Sequence, residues 1–280
     1  MKKKETIFIT GSSSGIGRAS AIALDKAGFR VLAGVRKAED GFQLEKNLSK
    51  DSRSLIIDVS CEESVAKAAH EVAATVGEEG LFGLLNNAGV SDFSPIEALN
   101  INDLKHIYEI NIFGVLRVTQ TLLPLLRKRK GRIVNISSVG GMMTPPFLFP
   151  ICSTKYVIES FTQALKQELA PWQIDVIAIN PSHITTRSSH CMMDIVNERL
   201  THFSNECRLL YKDRFLDLMK TLTEHEIHKG RPPEIVSDAI VCAFNKPHPK
   251  SHYPVGSRAK WMMLIARLFP QKNFGKLFDK

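Results

Sequence analysis

The sequence has no paired cysteines and no long hydrophobic run. Its five cysteines are odd in number and widely spaced, and none forms a CxxC pair: Cys61, Cys152, Cys191, Cys207 and Cys242. This spacing argues against a disulfide framework or a zinc site and predicts reduced thiols. The apolar run that follows the lysine-rich start is about four residues long, too short for a signal-peptide core or a membrane span. We therefore predict a cytoplasmic protein.

Acidic residues are in deficit as well, since 37 Lys and Arg against 29 Asp and Glu give a formal net charge of +8. The basic run at 127–130 has no interleaved aromatics and matches no nucleic-acid-binding module, so no nucleic-acid partner is expected. A solvated basic surface explains the charge, and anionic ligands or lipid surfaces are compatible with it. His190-Cys191 and His225-Glu226-Ile227-His228 have no further ligands at metal-binding spacing, so solvated helix faces are predicted and no metal.

Short β-branched runs alternate with helical patterns along the chain. Continuous apolar strands between helices are typical of a parallel sheet covered on both faces. We predict an α/β fold: a Rossmann-type doubly wound sheet with three α/β/α layers in one domain, 1–280. Its nucleotide-binding half covers about 1–130 and its catalytic half about 131–255, with a helical insertion at 187–229 and a basic amphipathic tail at 256–280. The predicted strands are 6–10, 30–34, 54–58, 83–86, 132–137 and 175–180, and the predicted helices between them are 16–27, 63–76, 101–128 and 156–170.

A glycine-rich turn follows the first predicted strand and leads into the first helix. It reads Thr10-Gly11-Ser12-Ser13-Ser14-Gly15-Ile16-Gly17. Glycines let a backbone turn tightly against a pyrophosphate, and the helix N-terminus then offers free N–H groups and a favourable dipole. A glycine triplet alone is weak evidence, but its position between strand and helix predicts a dinucleotide site.

The second predicted strand ends at Val35-Arg36-Lys37, where an NAD site usually has an acidic residue for the ribose 2′-hydroxyl. Because the acid is absent and Arg36 stands beside it, we expect a 2′-phosphate to be accepted and NADP(H) to be preferred over NAD(H). A solvated loop arginine is the alternative.

Further motifs follow in a characteristic order. They are Asp58-Val59, Asn86-Asn87-Ala88-Gly89, Asn111, Asn135-Ile136-Ser137-Ser138, Lys155 and Asn180-Pro181 with Ile184 and Thr186. With the glycine turn, they resemble the short-chain dehydrogenase/reductase family over residues 6–186. The resemblance implies that Asp58 contacts the adenine, that Asn87, Ala88 and Gly89 support the nucleotide, and that Thr186 meets the nicotinamide. It also implies a homodimer or homotetramer built through the helices at 101–128 and 151–169. Ser182 departs from the family pattern, which has glycine there.

The resemblance assigns the chemistry to four positions. Ser138 would hydrogen-bond the substrate oxygen, Lys155 would bind the nicotinamide ribose, and Asn111 would anchor a relay water. The proton-donating tyrosine of the family falls at Ile151, which has no titratable proton. Because a positioned acid typically contributes ~10²–10⁴ in rate, we expect ordinary carbonyl reduction to be impaired.

Four groups are candidate replacements for the acid. Tyr156 stands about 140° around a helix from residue 151 and should face away from the substrate. Cys152 is better explained as a small buried hydrophobe. His183 is a competent acid near neutral pH, with a satisfied loop histidine as the alternative, and Lys155 can act through a water. None is an obvious substitute.

The loop at 140–150 is apolar and carries Met142, Met143 and Phe147. With the methionine-rich insertion and His183, it predicts a pocket for a hydrophobic small molecule, and core packing explains the same side chains equally well. The tail from 256 onward can lie on an anionic membrane surface or dock on protein.

Two functions remain open. The first is an NADP-dependent oxidoreductase with an altered proton relay, acting on a hydrophobic carbonyl, alcohol or iminium-like substrate. The second is a non-redox protein, either a cyclase or isomerase that uses the dinucleotide as a scaffold or a binding-only pseudoenzyme.

Overall fold

The computed structural model describes residues 4–268 and contains one seven-stranded sheet. All neighbouring strands are parallel, in the order β3-β2-β1-β4-β5-β6-β7. The strands are β1 Thr6–Ile9, β2 Arg30–Val35, β3 Arg53–Ile56, β4 Gly83–Asn86, β5 Arg132–Ile136, β6 Asp175–Ser182 and β7 His252–Gly256. The chain crosses over between β3 and β4, so the ends of β1 and β4 border the crevice where such sheets bind ligands.

The helices cover both faces of the sheet and the edge where the strands end. They are α1 Gly15–Lys26, α2 Ala38–Glu45, α3 Glu62–Val76, α4 Ile101–Tyr108, α5 Gly114–Arg129, α6 Phe149–Glu168, α7 Arg187–His190, α8 Met192–Thr201, α9 Asn205–Lys229, α10 Glu234–Asn245 and α11 Ala259–Leu268. A π-helical turn, Glu109–Phe113, joins α4 to α5.

The strands bury both of their faces, as their continuous apolar sequences predict. In β1, Phe8 joins the cluster that contains Val118 and Val176, while Ile7 and Ile9 point the other way, into the cluster that contains Ile240. Alternate residues of a strand face opposite sides. The doubly wound, three-layer fold is therefore confirmed.

Four elements differ from the sequence prediction. The single helix predicted at 101–128 is divided into α4 and α5 by the π-helical turn. The structure adds α2 and the edge strand β7, neither of which was predicted. The helix predicted at 156–170 corresponds to α6, and its predicted start is wrong, since α6 begins at Phe149. Pro150 is compatible with this start, because proline fits the first turn of a helix, where its missing N–H has no intrahelical partner.

The insertion over the sheet edge consists of α7, α8 and α9. It forms its own hydrophobic cluster around Val196, Phe215 and Met219. None of the helices within residues 4–268 combines the length and the hydropathy that a membrane span requires. Part of the predicted basic tail forms helix α11. Its remaining residues, 269–280, lie outside the described residues.

Candidate active site

The glycine turn after β1 is shaped by positions that exclude a side chain. Gly11 and Gly15 have φ angles of 70° and 54°, in the left-handed region. A Cβ at Gly17 would lie 2.2 Å from the Gly11 carbonyl oxygen. Ser14 precedes α1 with an extended backbone and makes no side-chain capping hydrogen bond. The first-turn N–H groups of α1, which include those of Ile16 and Gly17, thus have no side-chain cap, and this arrangement fits a dinucleotide phosphate.

Asn87 locks this turn in place. Its Nδ2 donates to the carbonyl oxygens of Thr10 and Gly11 at 2.9 and 2.8 Å. The Thr10 hydroxyl in turn accepts from the backbone N–H groups of Asn87 and Ala88 at 3.0 and 3.1 Å. The ends of β1 and β4 are therefore joined directly under the turn. Gly89 follows this junction, and a Cβ there would lie 3.2 Å from Asn111 Oδ1.

The segment after β6 reaches the same turn. A Cβ at Gly15 would be in van der Waals contact with Thr186, 3.5 Å from its Cβ. Ile184, which lies between Pro181 and Thr186 in the sequence, is buried. The structure thus brings Thr186 next to the glycine turn, while its contact with the nicotinamide stays a prediction.

The ends of β2 and β3 carry opposite charges. The exposed Arg36 follows β2, and the Asp58 carboxylate accepts from the Ser60 hydroxyl and N–H at 2.6 and 2.9 Å. These bonds from Ser60, and more weakly the charge of Arg36, hold the pKa of Asp58 below its usual range. Val59 beside it is buried. An anionic carboxylate and an exposed guanidinium therefore follow β3 and β2, where the family resemblance implies the adenosine end of a dinucleotide.

Asn111 lies in the π-helical turn, a type of irregularity that is frequent at functional sites. Its amide forms two bonds with the backbone of Val90, each 2.9 Å long. Its Nδ2 also donates to the Thr154 hydroxyl at 3.2 Å. The side chain thus ties the loop after β4 to α6, and Asn111 lines a narrow internal gap together with Lys155.

Ser138 and Lys155 are both held at the end of β5 by hydrogen bonds to the backbone. The Lys155 ammonium donates to the Ile136 carbonyl oxygen at 2.9 Å. The Ser138 hydroxyl accepts from the Gly140 N–H at 3.0 Å and lies 3.4 Å from the Pro181 carbonyl oxygen. Burial lowers the pKa of Lys155 to about 8, and the nearby carboxylate of Glu159 opposes that decrease. The ammonium is consequently a stronger acid than an ordinary lysine.

Ile151 stands one helical turn before Lys155 on α6. It is partly buried and packs against the hydrophobic cluster of the insertion. Its side chain therefore contributes apolar surface where the resemblance places a phenol.

The other candidate acids are poorly suited to the role. Burial raises the pKa of the Cys152 thiol to about 12, so the thiol holds its proton too tightly. Burial and the neighbouring His225, whose ring centroid is 4.5 Å away, lower the pKa of His183 and deplete its imidazolium form at neutral pH. Tyr156 shares α6 with Ile151, five residues further on, which keeps the two about 140° apart.

The apolar loop before α6 contains both buried and partly exposed side chains. Met143 is buried, whereas Met142 is partly exposed. Phe147, at φ 67°, packs edge-on against Phe215 of α9 with ring centroids 5.4 Å apart. Phe147 therefore anchors the insertion to the loop, while Met142 keeps accessible surface.

Sequence reasoning missed a buried polar group behind Lys155. Glu159 accepts a hydrogen bond of 2.6 Å from Asn180 and contacts His252 at 3.0 Å. Its position one turn after Lys155 was the only sequence signal available, because His252 comes 93 residues later. Within residues 4–268, no three His, Cys, Asp or Glu side chains converge as a metal-binding group.

Comparison with known proteins gives the family. The family model for short chain dehydrogenase matches residues 5–194. Retinol dehydrogenase 16 of Mus musculus is 33% identical over 94% of this chain and 84% of its own length. The NADPH-dependent 3-dehydrocapnine reductase of Ornithobacterium rhinotracheale is 33% identical over 97% of this chain and 95% of its own. A short-chain dehydrogenase structure from Streptomyces avermitilis superposes with a TM-score of 0.78 at 24% identity, covering 94% of this chain and 92% of that one.

The chain belongs to the short-chain dehydrogenase family, whose members similar to it include oxidoreductases.

Proposed function

We propose that the protein is an NADP-dependent oxidoreductase with an altered proton relay. Its substrate would be a hydrophobic carbonyl or alcohol, or an iminium-like compound. The observation that carries the proposal is the convergence of the uncapped glycine turn, Thr186, Ser138 and Lys155 at one edge of the sheet. A bound nicotinamide supplies or takes up the hydride there.

The preference for NADP rests on Arg36. No carboxylate ends β2, and the exposed guanidinium is free to form paired hydrogen bonds with a 2′-phosphate. A relative named for its NADPH dependence supports the same choice. Arg36→Asp should weaken NADPH binding about 10- to 100-fold, which is about 1.4–2.7 kcal/mol, and improve NADH binding. Unchanged affinities for both dinucleotides, measured by fluorescence titration, would refute this role.

Lys155 is the proton source in this proposal. Its lowered pKa leaves a population of both protonation states near pH 8, the condition that general acids need. On reduction, an N–H bond of Lys155 breaks and an O–H bond forms at the substrate oxygen through one water, while Ser138 hydrogen-bonds that oxygen. The neutral lysine then regains its proton from solvent. Alcohol oxidation reverses these steps.

A hydrophobic substrate is supported by the surfaces that face the site. Ile151 and Met142 both keep some exposed apolar area, and Ile151 packs against the insertion, which contains an aromatic cluster. The relatives named for retinol and 3-dehydrocapnine add support for an alcohol or carbonyl group, since one is a dehydrogenase and the other a reductase.

The first test compares Ile151→Tyr and Ile151→Phe with the unmodified chain in NADPH oxidation over a panel of hydrophobic ketones. We expect tight NADPH binding and slow turnover for the unmodified chain, and about 100-fold faster turnover for the tyrosine variant. The phenylalanine variant has the same ring without the hydroxyl and should remain slow. Equal turnover by the unmodified chain and the tyrosine variant would contradict the missing-acid argument.

The non-redox alternative is favoured by one observation, the apolar packing of Ile151 into the insertion cluster. A cyclase, isomerase or binding-only protein would bind NADPH without consuming it. If neither dinucleotide binds, both the redox and the scaffold proposals fail.

Two surfaces support the proposed partners. A homodimer or homotetramer is supported by apolar side chains left exposed on α4, the π turn, α5 and α6: Ile101, Phe113, Leu116 and Val157. Apolar patches of this kind commonly mark protein interfaces.

The outer face of α11 supports peripheral contact with an anionic membrane. Its inner face docks on protein through the buried Ala259 and Met263. Trp261 and Leu268, in contrast, are 67% and 66% exposed, and the cation Lys260 is adjacent. Trp261→Glu should reduce co-sedimentation with phosphatidylserine vesicles, whereas Phe42→Glu, at an exposed phenylalanine of α2, should not. No binding to such vesicles by the unmodified chain would refute the proposal.

A further inference from the structure

Glu159 is a largely buried carboxylate that the proposed chemistry leaves unused. It lies on α6 four residues after Lys155, so the two side chains share one face of the helix. Only 14% of its side chain is exposed. A buried carboxylate is costly unless it is hydrogen-bonded, so its neighbours should explain its presence.

Those neighbours come from two strands. Asn180, on β6, donates to Glu159 Oε1 at 2.6 Å, and His252 Nε2, on β7, lies 3.0 Å from Oε2. The Asn180 amide also lies 3.5 Å from the Ser138 carbonyl oxygen, just beyond the end of β5. Glu159 therefore connects α6 to the backbone that carries Ser138.

The loop after Ser138 leaves room for this carboxylate side chain. A Cβ at Gly141 would lie 2.9 Å from Glu159 Cγ and 3.1 Å from the Ser137 hydroxyl. Any larger residue at position 141 would displace Glu159 or Ser137. The glycine thus permits close packing of the turn against α6.

The charges of the cluster act on Lys155. Burial raises the pKa of Glu159, but its polar neighbours, above all His252, outweigh burial and bring the pKa below its usual value. The carboxylate is therefore charged at neutral pH and favours the ammonium form of Lys155. Among the described residues, the other titratable groups that act on this pair are Cys152 on α6 and His252 on β7. Cys152 is a neutral thiol, and the His252 side chain is 33% exposed to solvent.

We propose that Glu159, held by His252 and Asn180, is a positioning residue that keeps Lys155 in its ammonium form and fixes the segment that carries Ser138. The role in turnover rests on the proposed oxidoreductase function, whereas the electrostatic coupling to Lys155 is a property of the chain alone. The coupling can therefore be measured without cofactor.

The sign of the coupling follows from linkage. The pKa of Lys155 is about 8 in the folded protein and near its usual 10.5 in the unfolded chain. Between these values the unfolded chain binds more protons, so the free energy of unfolding rises with pH in that window. Removal of the Glu159 charge lowers the folded pKa further and moves the start of this rise to lower pH.

The experiment measures urea unfolding of the cofactor-free protein between pH 6.5 and 10.5, a range chosen to include about 1.5 units below the Lys155 pKa. In Glu159→Gln, which keeps an acceptor for Asn180, the rise should begin about one pH unit lower than in the unmodified chain. Glu168→Gln removes an exposed carboxylate from the end of the same helix and should leave the profile unchanged. Identical profiles for Glu159→Gln and the unmodified chain would overturn the proposal.

A second measurement covers the role in turnover. If the protein reduces a ketone, the loss of activity at alkaline pH should begin about one unit lower in Glu159→Gln, with a larger change in kcat than in KM. If unfolding shifts and no dinucleotide binds, the proposed function fails while the coupling stands. If activity is present and neither profile shifts, the positioning role fails while the oxidoreductase stands.

Discussion

At the scale of single residues, the strictest steric requirement in the site is at Gly17. A Cβ there would meet the Gly11 carbonyl oxygen at 2.2 Å and Asn87 Nδ2 at 2.4 Å. The first contact is with backbone, so a side chain at position 17 must move the turn itself. The same residues fix the N-terminus of α1, which is the proposed site of a dinucleotide phosphate.

Gly17→Ala should therefore weaken NADPH binding about 100-fold, or about 2.7 kcal/mol. Fluorescence titration measures the affinity. Gly77→Ala is the matched control: its φ is 59° and open space surrounds it, so it should cost stability by about 1–2 kcal/mol and leave binding unchanged. Equal NADPH affinity in Gly17→Ala and the unmodified chain would show that the turn does not hold the phosphate.

Residues with a local signal were predictable, and those that depend on distant partners were not. The glycine turn is contiguous in sequence, and its position after a strand predicted its place in the structure. Arg199 forms an ion pair with the buried Asp92 although the two are 107 residues apart. No periodicity or local motif links two such positions, because the contact exists only after the insertion folds back onto the sheet edge.

At the scale of elements, the insertion is held by charge as well as by apolar packing. Arg199 of α8 donates from Nε to Asp92 at 2.8 Å and contacts Asp103 of α4 at 3.0 Å. Asp92 is only 4% exposed, whereas Asp103 is 29% exposed. Loss of the arginine should therefore cost more stability at the buried Asp92 carboxylate than at the partly exposed Asp103 carboxylate.

Arg199→Met should lower the free energy of unfolding by about 3 kcal/mol, because it leaves the Asp92 carboxylate buried without its cation. Asp103→Asn should cost less than about 1 kcal/mol, since that carboxylate retains access to water. Urea unfolding monitored by circular dichroism measures both. Equal losses for the two variants would contradict a buried pair at Asp92.

Element prediction succeeded where periodicity was strong and failed at short or mixed segments. The β-branched runs of β1, β2, β5 and β6 predicted their strands to within two residues at each end. The edge strand β7 contains Pro254 and is partly exposed throughout. Its sequence shows neither the alternation of apolar and polar residues nor the continuous apolar run that predicts a strand. The loop predicted at 140–150 is rich in proline and overlaps the first two residues of α6, although Pro150 is compatible with a helix start.

At the scale of the whole molecule, α4 and the π turn together expose an apolar face. Ile101 is 61% exposed and Phe113 48% exposed, and both border a shallow groove that also contains Tyr108. A second copy of the chain is the occupant proposed for this face.

Phe113→Glu should shift the protein from dimer or tetramer to monomer in size-exclusion chromatography with light scattering, because it places a charge in an apolar contact. Ile56→Glu, at an exposed isoleucine of β3, should leave the mass unchanged. A monomeric unmodified chain at micromolar concentration would contradict the proposed assembly.

The central claim is that this site still transfers a hydride although Ile151 replaces the acid. The most direct measurement uses NADPH deuterated at both C4 positions and a panel of hydrophobic ketones, with mass spectrometry of the alcohol products. The account predicts slow formation of alcohol with one deuterium on the carbinol carbon, faster in Ile151→Tyr. Tight NADPH binding with no deuterium in any product, from either protein, would contradict it.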